Sequence, residues 1–500
     1  MPGLWKKKSL ELLRAEAAES EHGLRRTLGP LALMSLGIGA IVGAGIFVLS
    51  GVAAQHTGPA LVLSVILSGV GCAFAGLCYA EFAAMIPVAG SAYTYSYATI
   101  GEFLAWIIGW DLILEYAVGA TTVSIGWSGY FVSFLQRTLH IPFPAELSRS
   151  PWEPIQLADG TTVHPLFNLP AAFIIVLITT LLIIGIRESA NFNNFIVMVK
   201  VGVVVLFIIV GALYVNRANW HPFFPPNQGV FGEFGFSGVL RGAGIIFFAY
   251  IGFDAVSTAA QEARNPERDM PIGILGSLAI CTVLYIVVVM VLTGLEPFRQ
   301  LNVADPLAIA IDSTPARAWL SPIVKIGALL GTTAVILVMM LGQTRVFYSM
   351  AHDGLLPKAF GRIHQRFRTP YVSTALTGAC VAVAGGLLPL RIVGELVSIG
   401  TLLAFVIVSA SVMVMRKRHP DIRRPFRTPW VWLVGPLAIV VCGGQMLGLP
   451  RDTWIRLFVW MAIGLVIYFS YSRRHSVLNV AEGKRDSGLG IRDTGPGTRG

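Results

Sequence analysis

The stretch that decides the fold is Gly37-Ile38-Gly39-Ala40-Ile41-Val42-Gly43-Ala44-Gly45-Ile46-Phe47, set inside an apolar run near 31–53. A second one stands far downstream: Gly242-Ala243-Gly244-Ile245-Ile246-Phe247-Phe248-Ala249-Tyr250-Ile251-Gly252-Phe253-Asp254, inside an apolar run near 236–260. A helix interior gains nothing from glycine. Glycine at the centre of two long apolar runs therefore has another purpose. Close helix packing of the small-xxx-small kind, as in Gly39-xxx-Gly43, is one. The other is a pair of broken helices lining a site at mid-membrane in a transporter built from inverted repeats. The matched spacing, five spans apart, and the acid that ends the second stretch favour the site.

Working outward, apolar runs of this length recur along the chain. They lie near 31–53, 60–86, 103–135, 170–186, 192–215, 236–260, 272–294, 320–344, 371–389, 392–415, 429–448 and 454–472. Each is long enough to cross a hydrocarbon core of about 30 Å as a helix. Only 13% of the 500 residues are charged and 55% are hydrophobic, against about a quarter charged in soluble proteins. The expected class is thus all-α and transmembrane, with about twelve spans and a Pro-rich, polar extramembrane loop at 136–169. A cytoplasmic segment (1–26) precedes the transmembrane domain (27–474), and a Gly-, Arg- and Asp-rich tail (475–500) follows it. The tail's composition predicts disorder. Residues 9–22 read equally as a short surface helix or a frayed end. No cleavable signal peptide is expected, because Trp5-Lys6-Lys7-Lys8 is not followed by a short apolar stretch and cleavage site.

The net charge of +10 is distributed in a way that excludes a nucleic-acid partner. With the N-terminus inside and direction reversing at each span, about 26 Lys/Arg fall on the cytoplasmic side and about 9 outside. Both termini are expected in the cytoplasm of a multi-pass protein of the cell (inner) membrane. The five cysteines, Cys72, Cys78, Cys281, Cys380 and Cys442, lie in apolar runs without metal-site or disulfide spacing. No metal, cofactor or catalytic residue is expected.

Charge inside the membrane is costly and marks function by default. Glu115 in the third run, Lys200 in the fifth and Asp254 in the sixth lie well inside. Asp111 is one turn from Glu115 on the same face. A structural pair such as Glu115 with Lys200 is the plainer alternative. Lys325, near the start of its run, is expected to reach the outer interface. A break at Val42–Gly45 would leave amides able to hold a carboxylate, and Gly43 and Gly45 would let it come close. A break near Phe248–Ile251 would leave carbonyls for an ammonium. The predicted substrate site is therefore Ile41, Val42, Gly43, Ala44, Gly45, Phe248, Ala249, Ile251 and Asp254, a cradle for the zwitterion common to α-amino acids.

With these stretches goes Glu262-Ala263-Arg264-Asn265-Pro266-Glu267-Arg268-Asp269-Met270-Pro271-Ile272-Gly273-Ile274, in which Asn-Pro breaks the helix on the cytoplasmic side. Over about 25–475 the chain resembles the amino acid–polyamine–organocation transporter superfamily, and within it the bacterial form of the cationic amino acid transporter branch. The resemblance implies a LeuT-like fold: inverted repeats over about 31–215 and 236–415, discontinuous first and sixth helices, and two additional helices over about 429–472. It implies alternating access without ATP. It also gives Lys200, within Val197-Met198-Val199-Lys200-Val201-Gly202, the place that sodium fills in sodium-coupled relatives. Proton coupling through Lys200, Glu115 and Asp254 is then expected. The reading is a secondary amino acid symporter of amino acid and protons in a lipid bilayer, with an exchanger on the same fold as the alternative. A channel would show a filter ring or repeated pore loop, and an enzyme a polar cluster at one depth; neither is seen in the sequence. Cationic and neutral substrates stay open.

Overall fold

In the computed structural model of the chain the residues described are Lys8, 28–43, 45–85, 91–156, 162–185, 190–227, 229–253, Val256 and 263–478. Residues 9–22, read as a short surface helix or a frayed end, the part of the predicted tail (475–500) beyond 478, and the candidates Ala44 and Asp254 lie outside them.

Helices occupy all twelve apolar runs. The first span is split into Pro30–Ile41 and Ser50–Thr57, with a π-helical turn at Gly45–Leu49 between them. The second to fifth are Leu61–Met85, Glu102–Ser133, Leu169–Ile184 and Ala190–Ala212. The sixth begins as Gly235–Ile246 and tightens to a 3₁₀ turn at Phe247–Tyr250. The seventh to twelfth are Pro266–Leu295, Arg317–His352, Tyr371–Leu387, Leu390–Arg418, Val431–Gly448 and Arg451–Ile467. Among the described residues eight helical stretches are long and apolar enough to cross a membrane, and three more, Leu169–Ile184, Gly235–Tyr250 and Tyr371–Leu387, are apolar but shorter. Large apolar side chains such as Met198, Val440, Phe458 and Val466 are exposed on these helices. In water such surface would demand a partner; in lipid it needs none.

The seventh span starts at Pro266, earlier than its apolar run, because proline suits the first helical turn, where no N–H bond is lost. The eighth and tenth run past their apolar residues to His352 and Arg418. Their backbone bonds are internal, so leaving the hydrocarbon does not end them. Two short helices, Ser91–Thr99 and Pro306–Asp312, were too short and mixed to stand out in the sequence. The 136–169 loop carries a two-stranded antiparallel hairpin, Ile155–Gln156 with Thr162–Val163.

The packing of the spans has an inverted two-fold character. Gly69 and Gly76 of the second span face Thr282 and Leu278 of the seventh. Gly109 and Gly119 of the third face Met350 and Met339 of the eighth. Gly185, just past the fourth, faces Thr369, and Gly378 of the ninth faces Thr179 of the fourth. In each pair residue numbers rise on one helix as they fall on the other, so the second, third and fourth spans each lie antiparallel on the span five places later. An axis in the membrane plane produces that arrangement. The eleventh span packs on the second through Ser68 Oγ and Gln445 Oε1, 3.2 Å apart. The twelfth stacks Trp460 on Trp110 of the third at 4.5 Å, each indole donating to the other's carbonyl.

On the predicted cytoplasmic side Arg416 donates two hydrogen bonds, of 2.9 and 2.7 Å, to the Glu81 carboxylate, which also accepts from the Thr428 amide. A basic residue that follows the positive-inside pattern is here also a bidentate tie between the second and tenth spans.

Candidate functional site

The first span loses its helical ladder after the bond from Val42 N to Ile38 O, and Val42 itself turns extended (ψ 94°). The next carbonyl along, Gly39 O, would bond Gly43 N in a continuing helix. It accepts instead from the Lys200 ammonium of the fifth span. Lys200 is fully buried. Its stem passes the eighth span at Gly331, where an added Cβ would stand 3.6 Å from both Lys200 Cβ and Cδ. The ladder resumes with Phe47 N bonded to Gly43 O at 3.1 Å.

The sixth span departs from helix at the matching depth. After the 3₁₀ turn, Ile251 is extended (ψ 137°) and Gly252 has φ +117°, a conformation that disfavours any side chain. The two interruptions touch. Gly252 lies against the backbone of Ala40, and a Cβ added to Gly45 would overlap the Cα of Ala249. The glycines of the two stretches are therefore where one broken helix passes directly over the other. Of the two purposes weighed from sequence, close packing is met at these glycines.

Of the predicted site residues, Ile41, Val42, Gly43, Gly45, Phe248, Ala249 and Ile251 are all buried in this region. Glu115 is buried in the third span, next to Tyr116, whose ring faces Gly342 of the eighth. The ammonium of Lys200 donates to the carbonyl of Gly39 at the break in the first span. Asp111 is buried beside Gly400 of the tenth span, and neither of its carboxyl oxygens has a hydrogen-bond partner among the described residues. Lys325, expected to reach the outer interface, has a partner there that the sequence did not suggest. Its side chain is 1% exposed and its Nζ lies 3.5 Å from Asp312 Oδ2, because a carboxylate from the preceding short helix meets it within the protein.

Three contributors carried no usable signal in the sequence. Tyr285 of the seventh span places its hydroxyl 2.8 Å from Ile41 O and 3.0 Å from Ala249 O. One phenol thus serves carbonyls at both interruptions, donating to one at a time. Val335 and Met339 of the eighth span face Gly43 and Gly119, and the Phe248 ring also lies within reach of Gly119. Together they make an apolar wall. Nothing in a tyrosine, valine or methionine within an apolar run marks it as different from lipid-facing neighbours.

Removing the Tyr285 hydroxyl leaves a buried carbonyl without its donor, at a cost of about 1–3 kcal/mol. Tyr285→Phe is expected to lower the initial uptake rate roughly tenfold, since each 1.4 kcal/mol is a factor of ten. The amount of protein in the membrane should not change. A full wild-type rate would remove Tyr285 from the site.

A many-span helical bundle with inverted packing and two broken helices meeting at its centre defines a membrane transporter of the permease class. The family model described as "Amino acid permease" matches residues 28–469, and the chain belongs to that family. It is 48% identical over 477 residues to the branched-chain amino acid permease BcaP of Bacillus subtilis (strain 168), covering 95% of this chain and 99% of the relative. It is 46% identical over 481 residues to the methylthioribose transporter of the same organism, covering 96% and 100%. It is 36% identical over 422 residues to the vacuolar cationic amino acid transporter 4 of Arabidopsis thaliana, covering 84% of this chain and 68% of the relative. The chain is thus a multi-pass membrane protein of the amino acid permease family.

Proposed function

We propose that this permease brings an amino acid with an aliphatic side chain into the cell together with a proton, by alternating access, from a cell membrane in which both its termini are cytoplasmic. The observation that carries the reading is the contact of the two broken helices at Gly45 and Ala249. Amides freed in the first span hold the substrate carboxylate, with Val42, Gly43, Ala44 and Gly45 around it. Carbonyls freed in the sixth, from Phe248 to Ile251, accept from the ammonium, with Asp254 just beyond. The apolar wall of Val335, Met339 and Phe248 favours an uncharged side chain. The 48% identity to a branched-chain amino acid permease points the same way. Lys200 carries the coupling proton, and Glu115 and Asp254 are the acids proposed to share in its transfer. Protonated, it holds the broken first span to the fifth; neutral, it releases it.

The test is uptake of labelled leucine into proteoliposomes under an inward proton gradient. Accumulation without internal amino acid is expected, with valine and isoleucine competing and arginine not. A strict need for internal amino acid would make the protein an exchanger instead. Displacement by methylthioribose, with no leucine uptake, would assign it the substrate of its 46% relative. That solute has neither carboxylate nor ammonium to meet the two sets of freed backbone groups.

A further inference from the structure

Basic residues are scarce on the outer side of a chain that obeys the positive-inside bias, yet three of them converge on one cavity there. It has a volume of about 500 Å³ and lies where the end of the third span meets the start of the eighth. Arg137, Arg317 and Lys325 line it, together with His140, Ser321 and Asp312. Arg137 Nη1 donates to Asp312 Oδ2 at 3.0 Å, and Lys325 Nζ lies 3.5 Å from the same oxygen. The one carboxylate in the wall thus meets two of the three cations, and it occupies one of the five N–H donors of Arg137. Asp305, at the start of the 306–312 helix, is the other acid near these cations. Burial pushes its carboxyl up from the usual carboxylate range, while a hydrogen bond from Ser133 and the charges of Arg137 and Lys325 pull it back.

Two features go beyond an ion-pair network holding the short helix in place. The Lys325 side chain is 1% exposed, and a buried ammonium needs more acceptors than one oxygen at 3.5 Å. One turn earlier on the same helix, Ser321 is 2% exposed and its Oγ has no hydrogen-bond partner among the described residues. Both line the cavity, so a buried cation and a buried unpartnered hydroxyl share one wall. Surplus positive charge between low-dielectric walls concentrates anions. We propose that this cavity is a second ligand site, one that takes a small soluble carboxylate at the outer mouth of the protein. The Asp312 carboxylate in the wall suits a singly charged anion better than a phosphate dianion. Capture of the transported amino acid by its carboxylate rests on the permease reading above; carboxylate binding itself does not.

The test is binding to the full-length protein in nanodiscs of zwitterionic phosphatidylcholine, with trifluoroacetate as the probe, read as ¹⁹F line broadening. Broadening at millimolar probe is expected, together with its reversal by acetate. Arg317→Gln and Lys325→Gln should each reduce it several-fold, and Lys325→Arg should keep it. Arg317 is exposed, so its variant tests the site even if the buried Lys325→Gln does not fold. Gly45→Val, altered only at the central site, should broaden the line as the wild type does. Equal broadening in wild type and Arg317→Gln would overturn the proposal and leave the cluster a structural tie. Loss of broadening when phosphatidylglycerol replaces phosphatidylcholine would give the site to a lipid headgroup and overturn it equally.

Discussion

Lys200→Arg is expected to abolish proton-driven accumulation of substrate, lowering it at least tenfold, although arginine keeps the positive charge. The wild-type ammonium is fully buried and donates to Gly39 O, the first carbonyl released where the first span breaks. A guanidinium can occupy the same region as a charge and a donor, but it does not give up its proton in a protein. If the work of Lys200 is to hold the first span when protonated and release it when neutral, arginine holds permanently. Lys200→Ala should lose accumulation as well, for the opposite reason, because the carbonyl has no donor in either state. Solute counterflow separates lost coupling from lost folding. Exchange of labelled for unlabelled substrate should survive in at least one of the two variants. Accumulation by Lys200→Arg close to wild type would reduce Lys200 to a structural cation.

Gly45→Val should abolish transport while leaving insertion intact. A Cβ at 45 would overlap the Cα of Ala249, which is backbone and cannot rotate aside, whereas a Cβ at 43 would meet the side chain of Val335. Overpacking costs about 1–3 kcal/mol, and contact with backbone belongs at the upper end. A cost of that size is roughly a 100-fold loss of the arrangement in which the two broken helices meet. Gly43→Ala should be milder, since a valine rotamer can yield. Uptake by Gly45→Val within a few-fold of wild type, at equal membrane expression, would mean that the crossing of the first and sixth spans is not part of the transport path.

Gly43 and Gly45 were legible as special because glycine at the centre of an apolar run contradicts helix propensity, and a contradiction of that kind can be read without coordinates. Lys200 and Glu115 were legible for the same reason: charge contradicts hydrocarbon. Tyr285 and Val335 contradict nothing where they stand. Their roles come from facing Ile41, Ala249 and Gly43 across the bundle, and which face of an all-apolar helix points inward is not encoded by its periodicity. Lys325 shows the limit from the other side. Its place near a span end predicted a side chain reaching for the interface, but nothing in the sequence marked Asp312, thirteen positions earlier, as its partner.

The sequence by itself determined the membrane, the apolar helices that fill it, the two glycine-rich stretches and the family. Each of these is a local property: apolar run length against bilayer thickness, glycine against helix, charge against lipid, and motif order along the chain. Only the tertiary structure decided that the two breaks touch at Gly45 and Ala249, that the Lys200 ammonium closes the carbonyl left at Gly39, and that Arg137, Arg317 and Lys325 share one cavity. Those are contacts between segments separated by dozens to hundreds of residues. They depend on the register in which each span slides and rotates against its neighbour, and that register is set by the packing of the whole bundle.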